Sequence, residues 1–194
     1  MHIVVLIKQV PATDNVKMDP QTGTMIRSGR DNIINPLDEN ALTAALQLRD
    51  ANPGSRVTVI TMGPESAKKS LQEALSLGAD RAVLLSHRTL AGADTIATAR
   101  VLAAAIQKCG GADIILCGER ATDGETGQTG PMVAAMLDIA ALTYVRKITV
   151  ADKNVRVERL IEGGYEEVEV PLPALITVIK EINQPGFPTL RGKL

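Results

Sequence analysis

Aromatic residues are nearly missing from this 194-residue chain: one Phe, two Tyr and no Trp. It cannot offer the row of stacking rings on which single-stranded nucleic acids lie. Cysteine is also scarce. Cys109 and Cys117 are the only two and form no paired motif, which argues against a disulfide framework and a zinc ribbon. Both read as small hydrophobes. The two histidines, His2 and His87, stand far apart, so no metal cluster can be drawn from them. No charge of one sign dominates. The net charge of −1 gives no general attraction to nucleic acid or to anionic lipid. Long hydrophobic runs are absent as well. The apolar stretch near the N-terminus, "IVVLI", is too short for a signal segment or a membrane span, so membrane insertion is not expected and a cytoplasmic location is.

What is present suits one well-packed domain. Hydrophobic residues make up 45% of the chain, and a chain of this length buries roughly 70% of the surface that it exposes when unfolded. Continuous apolar runs at 3–7, 57–61, 82–85, 113–117 and 174–179 read as strands covered on both faces. Alanine- and leucine-rich periodic segments lie between them: "LDENALTAALQLRD", "ESAKKSLQEALSLG", "DTIATARVLAAAIQKC" and "MVAAMLD". This alternation predicts an α/β fold with a doubly wound parallel sheet. Two stretches break the pattern. Residues 16–27 read as a hairpin, and residues 144–170 alternate apolar and polar side chains as an antiparallel meander inserted before the last core strand. The expected organisation is a single α/β domain over 1–182 and an extended arm over 183–194.

In such sheets ligands bind beyond the carboxyl ends of the strands. The segments that leave those ends are "KQVPAT", "MGPES" and "CGERATDGETGQTGP". The stretch "INPLDEN" opens a helix, with Asn35 as N-cap, Pro36 at the first position and Asp38 able to reach back as a cap partner. In the longest segment, Gly124, Gly127 and Gly130 recur every third residue before Pro131, which marks a helix start. The amides from Gly127 to Gly130 then face outward at a helix N-terminus, with Thr126, Gln128 and Thr129 adding side-chain groups. This reads as a phosphate cradle; a helix-capping turn is the bland alternative. Glu119, Asp123 and Glu125 are close in sequence, yet no His, Cys or Lys accompanies them to support hydrolysis. Asp123 suits capping or a ribose contact instead. Thr95 and Thr98 lie one turn apart at a helix start, and Lys8 follows the first strand; each is open to a ligand contact or to an ordinary structural role.

Taken together, "IKQVPAT", "INPLDENAL", "MGPESA", "LSLGADRAVLLSH", "CGERATDGETGQTGP" and "VERLIEGGYEEVEVPLPALITV" resemble the β subunit of electron transfer flavoproteins over nearly the whole chain. The last stretch carries Arg159, Glu162–Gly164, Pro173 and Leu175–Thr177 in that family's pattern. The resemblance implies an adenine-nucleotide α-hydrolase-like sheet and a heterodimer with an α subunit that carries the electron-transferring FAD. It also implies a carrier rather than an independent enzyme. The pair shuttles electrons from flavin dehydrogenases to a quinone reductase or another acceptor. The β subunit holds AMP in the common type and a second FAD in the bifurcating type. The implied nucleotide contacts are Leu6, Lys8, Asn35, Pro36, Leu37, Asp38, Met62, Gly118, Arg120, Asp123, Gly124, Thr126, Gly127, Gln128 and Thr129, with phosphate on the last three. Leu190 matches the leucine that docks into a partner dehydrogenase. Gly127 before Gln128 and Pro131 after Gly130 resemble the bifurcating pattern, whereas Thr129 is what AMP-type members carry. FAD is the favoured ligand, with Thr95 and Thr98 near its ring. Family members continue past "PTLRGK" with an arm that embraces the α subunit, and this arm is expected to be cut short at Leu194. A homodimeric, stress-protein-like nucleotide regulator and a nucleotide-cleaving enzyme of the same fold are the alternatives.

Overall fold

The structure is a computed structural model and describes residues 1–12 and 32–186. The expected hairpin at 16–27, the tail from 187 onward and Leu190 lie outside the described residues. The strands are β1 (His2–Leu6), β2 (Gln9–Pro11), β3 (Asn32–Ile34), β4 (Arg56–Met62), β5 (Arg81–Leu85), β6 (Ile114–Gly118), β7 (Ala140–Ala151), β8 (Asn154–Ile161), β9 (Gly164–Pro171) and β10 (Ala174–Val178). The helices are α1 (Pro36–Ala51), α2 (Lys68–Leu77), α3 (Thr95–Lys108) and α4 (Thr129–Leu137).

Eight strands form one sheet in the order β5-β4-β1-β6-β10-β7-β8-β9. From β5 to β7 neighbours run parallel. Their β-branched runs serve both faces at once. In β1, Ile3 and Val5 enter the core under α1 and α2, while Val4 and Leu6 enter the core under α3 and α4. The doubly wound α/β fold is therefore the observed one. The alternating segment expected to form a meander does so as β7, β8 and β9, and it lengthens the main sheet rather than standing apart from it. Its turns fall at Asp152 and Gly163, both at positive φ (52° and 86°).

The helix boundaries follow local chemistry. Asp94 caps α3 by accepting from the Ala97 amide at 2.7 Å. Gly78, at φ 119°, ends α2 in the left-handed conformation that glycine adopts most cheaply. Two features depart from the sequence expectation. Helix α4 begins at Thr129, not Pro131; proline is tolerated in a first turn, where its missing N–H has no intrahelical role. Strands β2 and β3 pair antiparallel as a separate small sheet, three residues each, too short to show a period. Asn183 is tied to α1: its backbone and side-chain oxygens accept from Asn40 Nδ2 at 2.9 and 3.0 Å.

The chain reverses its direction across the sheet between β1 and β6. Helices α1 and α2 carry it one way from β1 on one face, and α3 returns it to β6 on the other. This is the topological switch point, where doubly wound sheets bind ligands.

Candidate functional site at the switch point

A cleft of about 670 Å³ opens at the carboxyl ends of β1, β4, β5 and β6. That volume lies within the range of small-molecule and cofactor sites. Of the residues singled out from the sequence, Leu6, Lys8, Asp38, Met62, Thr95, Thr98, Gly118, Arg120, Gly124, Thr126, Gly127, Gln128 and Thr129 line it. Asn35, Pro36, Leu37 and Asp123 do not. Ser86, His87, Arg88 and Leu90–Asp94 also line the cleft, none of them among the candidate site residues named from the sequence. The strand-end rule would have found them, since they follow the carboxyl end of β5.

The loop between β6 and α4 forms one wall and is pinned from behind. The Glu119 amide donates to Val178 O at 3.0 Å. The Asn35 side chain donates to Arg120 O at 2.9 Å and accepts from the Thr122 amide at 3.2 Å. Asn35 stands at the N-cap position of α1, but its side chain makes no capping bond; it latches the loop instead. The amides of Gly124 and Glu125 both donate to Ala121 O, closing a turn in which Glu125 sits at φ 51°. Gly127, at φ 61°, then aims the chain into α4. The Met132 amide donates to Gln128 O at 3.0 Å, the first step of the helical ladder. The amides just before it have no acceptor within the helix. Gly130 lines the cleft and also gives α4 room on the sheet: a Cβ there would fall 2.9 Å from both Cys117 Sγ and Thr177 Cγ2.

Charge in the site is mostly compensated. Lys8 Nζ pairs with Asp123 Oδ1 at 2.6 Å, with Asp123 buried and Lys8 half-exposed at the cleft. Arg120 pairs with Glu119 at 2.9 Å. Burial raises the Glu119 carboxyl, Arg120 lowers it and Glu181 raises it further. Glu119 and Asp123 thus stand in separate ion pairs. Among the described residues no group of three or more His, Cys, Asp or Glu could hold a metal ion. The Cys117 thiol is buried and pushed well above its ordinary value by desolvation, so it is no nucleophile. Cys109 is half-buried. Thr95 Oγ1 lies 3.5 Å from Gln128 Oε1, which brings the α3 and α4 N-termini to one side of the cleft.

Asp38 also departs from the expected cap role. Its carboxylate reaches the sheet, accepting from the Lys8 amide at 2.8 Å through Oδ2 and from the Gly118 amide at 2.8 Å through Oδ1. Gly118 has no room for a side chain, since its Cβ would fall 2.6 Å from Leu37 Cβ. Burial raises Asp38 to about 7 against the two backbone amides, Asn35 and Lys8, all of which lower it.

The donor set fits an anion. First-turn amides without helical acceptors stand at the α4 N-terminus, and Thr126, Gln128 and Thr129 line the cleft there. No described helix is long and apolar enough to cross a membrane.

A family model described as electron transfer flavoprotein domain matches residues 22–193. Three relatives align over almost the whole chain. An electron transfer flavoprotein subunit beta of Thermoanaerobacterium thermosaccharolyticum is 52% identical over 99% of this chain and 73% of its own length. A caffeyl-CoA reductase-Etf complex subunit, CarD, of Acetobacterium woodii is 50% identical over the same shares. Protein FixA of Azorhizobium caulinodans is 49% identical over 95% of this chain and 68% of its own length.

Proposed function

Because the chain belongs to the electron transfer flavoprotein family, we propose that it is the nucleotide-holding β subunit of a heterodimer that carries electrons from flavin dehydrogenases to a downstream acceptor, in the cytoplasm. The observation that carries this reading is the switch-point cleft with the α4 N-terminus on its wall. Gly127, Gln128 and Thr129 would hold phosphate, Lys8, held from behind by Asp123, stands at the cleft, and Leu6, Asp38 and Met62 line it further. The electron-carrying FAD belongs to the α subunit. This chain has no redox cysteine pair and acts as a carrier subunit rather than as an independent enzyme.

A second FAD is favoured over AMP as the ligand of this chain. Past the α4 N-terminus the cleft continues to Arg88, Thr95 and Thr98, giving space and hydroxyl donors beyond a single phosphate. When bound here, a flavin supplies a second redox centre. The protein's own part is to bind and orient it, with backbone amides on its phosphates and threonine hydroxyls within reach of the rest. Outside the described residues, Leu190 is proposed as the contact with the partner dehydrogenase. Acid extraction of the natively purified pair tests the ligand: two flavins per pair support FAD, whereas one flavin and one AMP reject it and keep the family role.

A further inference from the structure

Asp38 does something that its position does not require. At the third residue of α1, a carboxylate would ordinarily cap its own helix. Here each oxygen takes an amide from a different strand end: Lys8, just past β1, and Gly118, the last residue of β6. Those two strands flank the switch point, and Lys8, Gly118 and Asp38 all line the cleft. The side chain is buried. Two N–H donors face two oxygens, and the ionised form accepts from both with charge-assisted strength. A neutral carboxyl still has acceptor capacity, but its hydroxyl oxygen accepts more weakly and one strand end is held less firmly.

We propose that Asp38 is a positioning residue of the nucleotide cleft: its carboxylate ties the ends of β1 and β6 together, and protonating it loosens that tie and releases nucleotide. The proposal rests on reading the cleft as a nucleotide site. Few charged groups act on Asp38. Lys8 brings an ammonium from the β1 side, itself paired with Asp123, and Cys117 brings a neutral thiol from the β6 side. Asn35 on its own helix is uncharged. Glu119 and Arg120, on the loop after β6, are paired with each other. Burial outweighs the lowering by its partners and puts the titration near neutrality, about 7. The tie is therefore firm at mildly alkaline pH and loosened at mildly acidic pH.

The test uses the full chain, with ¹⁵N amide shifts followed from about pH 5.5 to about pH 8.5. The Lys8 and Gly118 amides are expected to titrate together near pH 7, and Lys8→Gln, by removing a lowering cation, moves that midpoint up. Asp38→Asn abolishes it. AMP and FAD affinities are measured alongside. One linked proton weakens binding about tenfold from about pH 8 to about pH 6 in the wild type, and much less in Asp38→Asn. That variant also subtracts the ionisation of the AMP phosphate itself, near 6. Amides that do not titrate overturn the proposal, and this result needs no variant to fold. Titrating amides with an affinity that ignores pH overturn it too. Titrating amides with no binding of either nucleotide at any pH support the tie and overturn the nucleotide reading instead.

Discussion

Gly118→Ala tests how closely α1 is seated on the end of β6. A Cβ at this position falls 2.6 Å from Leu37 Cβ, 2.8 Å from Asp38 Oδ1 and 2.9 Å from the Leu37 carbonyl carbon. None of these can swing away. The last is backbone in the first turn of α1, and the Asp38 carboxylate is held by two amides, Gly118 on Oδ1 and Lys8 on Oδ2. The helix must retreat from the sheet, loosening Ala41, Leu42 and Ala45 in the core beneath it. Overpacking of this kind costs about 1–3 kcal/mol; with backbone as the obstacle, the upper half applies, about 2–3 kcal/mol. A domain of this size loses roughly 2–4 °C of Tm per kcal/mol, so a fall of about 4–12 °C is expected by calorimetry. Gly130→Ala is the internal comparison. Its Cβ meets side-chain atoms, Cys117 Sγ and Thr177 Cγ2, at 2.9 Å. A helical Gly→Ala change also recovers up to about 1 kcal/mol of propensity. Its net cost is about 1 kcal/mol or less. Gly124→Ala, whose nearest neighbour is Lys8 Nζ at 3.9 Å, should be near neutral. An unchanged Tm for Gly118→Ala, or a larger fall for Gly130→Ala, would refute the proposed seating of α1.

Gly127→Val places a β-branched residue at φ 61° and should cost about 1–3 kcal/mol by thermal melting, with loss of copurifying nucleotide; Gly127→Asn, which tolerates that conformation better, should lose much less of both. Asp38 affects folding with the opposite sign to binding. Its carboxyl is raised from 3.8 to about 7 in the folded chain, so its stabilising contribution is complete below about pH 4 and is lost as pH rises to about 7. Ligand-free wild type should lose Tm across that window relative to Asp38→Asn, and parallel curves would contradict the assignment. Leu190→Ala should slow electron transfer from the dehydrogenase severalfold in stopped-flow assays while nucleotide content stays constant; a transfer rate equal to wild type would count against the docking role.

The fold could be read from the chain because its signals are local. "IVVLI" and the "IILC" of residues 114–117 are apolar on every residue, short enough and β-branched enough for a strand buried on both faces, and the alternation in 144–170 showed a face open to water. The pairing of Gln9–Pro11 with Asn32–Ile34 was not legible, since twenty residues separate two three-residue strands and neither has a period. The site was legible in part. Glycine spacing pointed to the loop after β6, and the strand-end rule pointed to Lys8 and Met62. The tertiary roles were hidden. Nothing local distinguishes an aspartate that caps its own helix from one that ties two strands, or an asparagine cap from a latch on a loop eighty-five residues away. The tight packing of Gly130 was hidden too, because a glycine needed for packing and one needed for ligand approach carry the same letter.

The central claim is that an adenine nucleotide occupies the switch-point cleft with its phosphate on the N-terminus of α4. An experimental structure of the native pair, purified without stripping its ligands, tests it most directly. The account predicts phosphate oxygens within hydrogen-bonding distance of the Gly127, Gln128 or Thr129 amides, with the remainder of the nucleotide running between Lys8 and Met62. A nucleotide bound elsewhere on this chain, or a cleft holding no adenine nucleotide in the native pair, would contradict it.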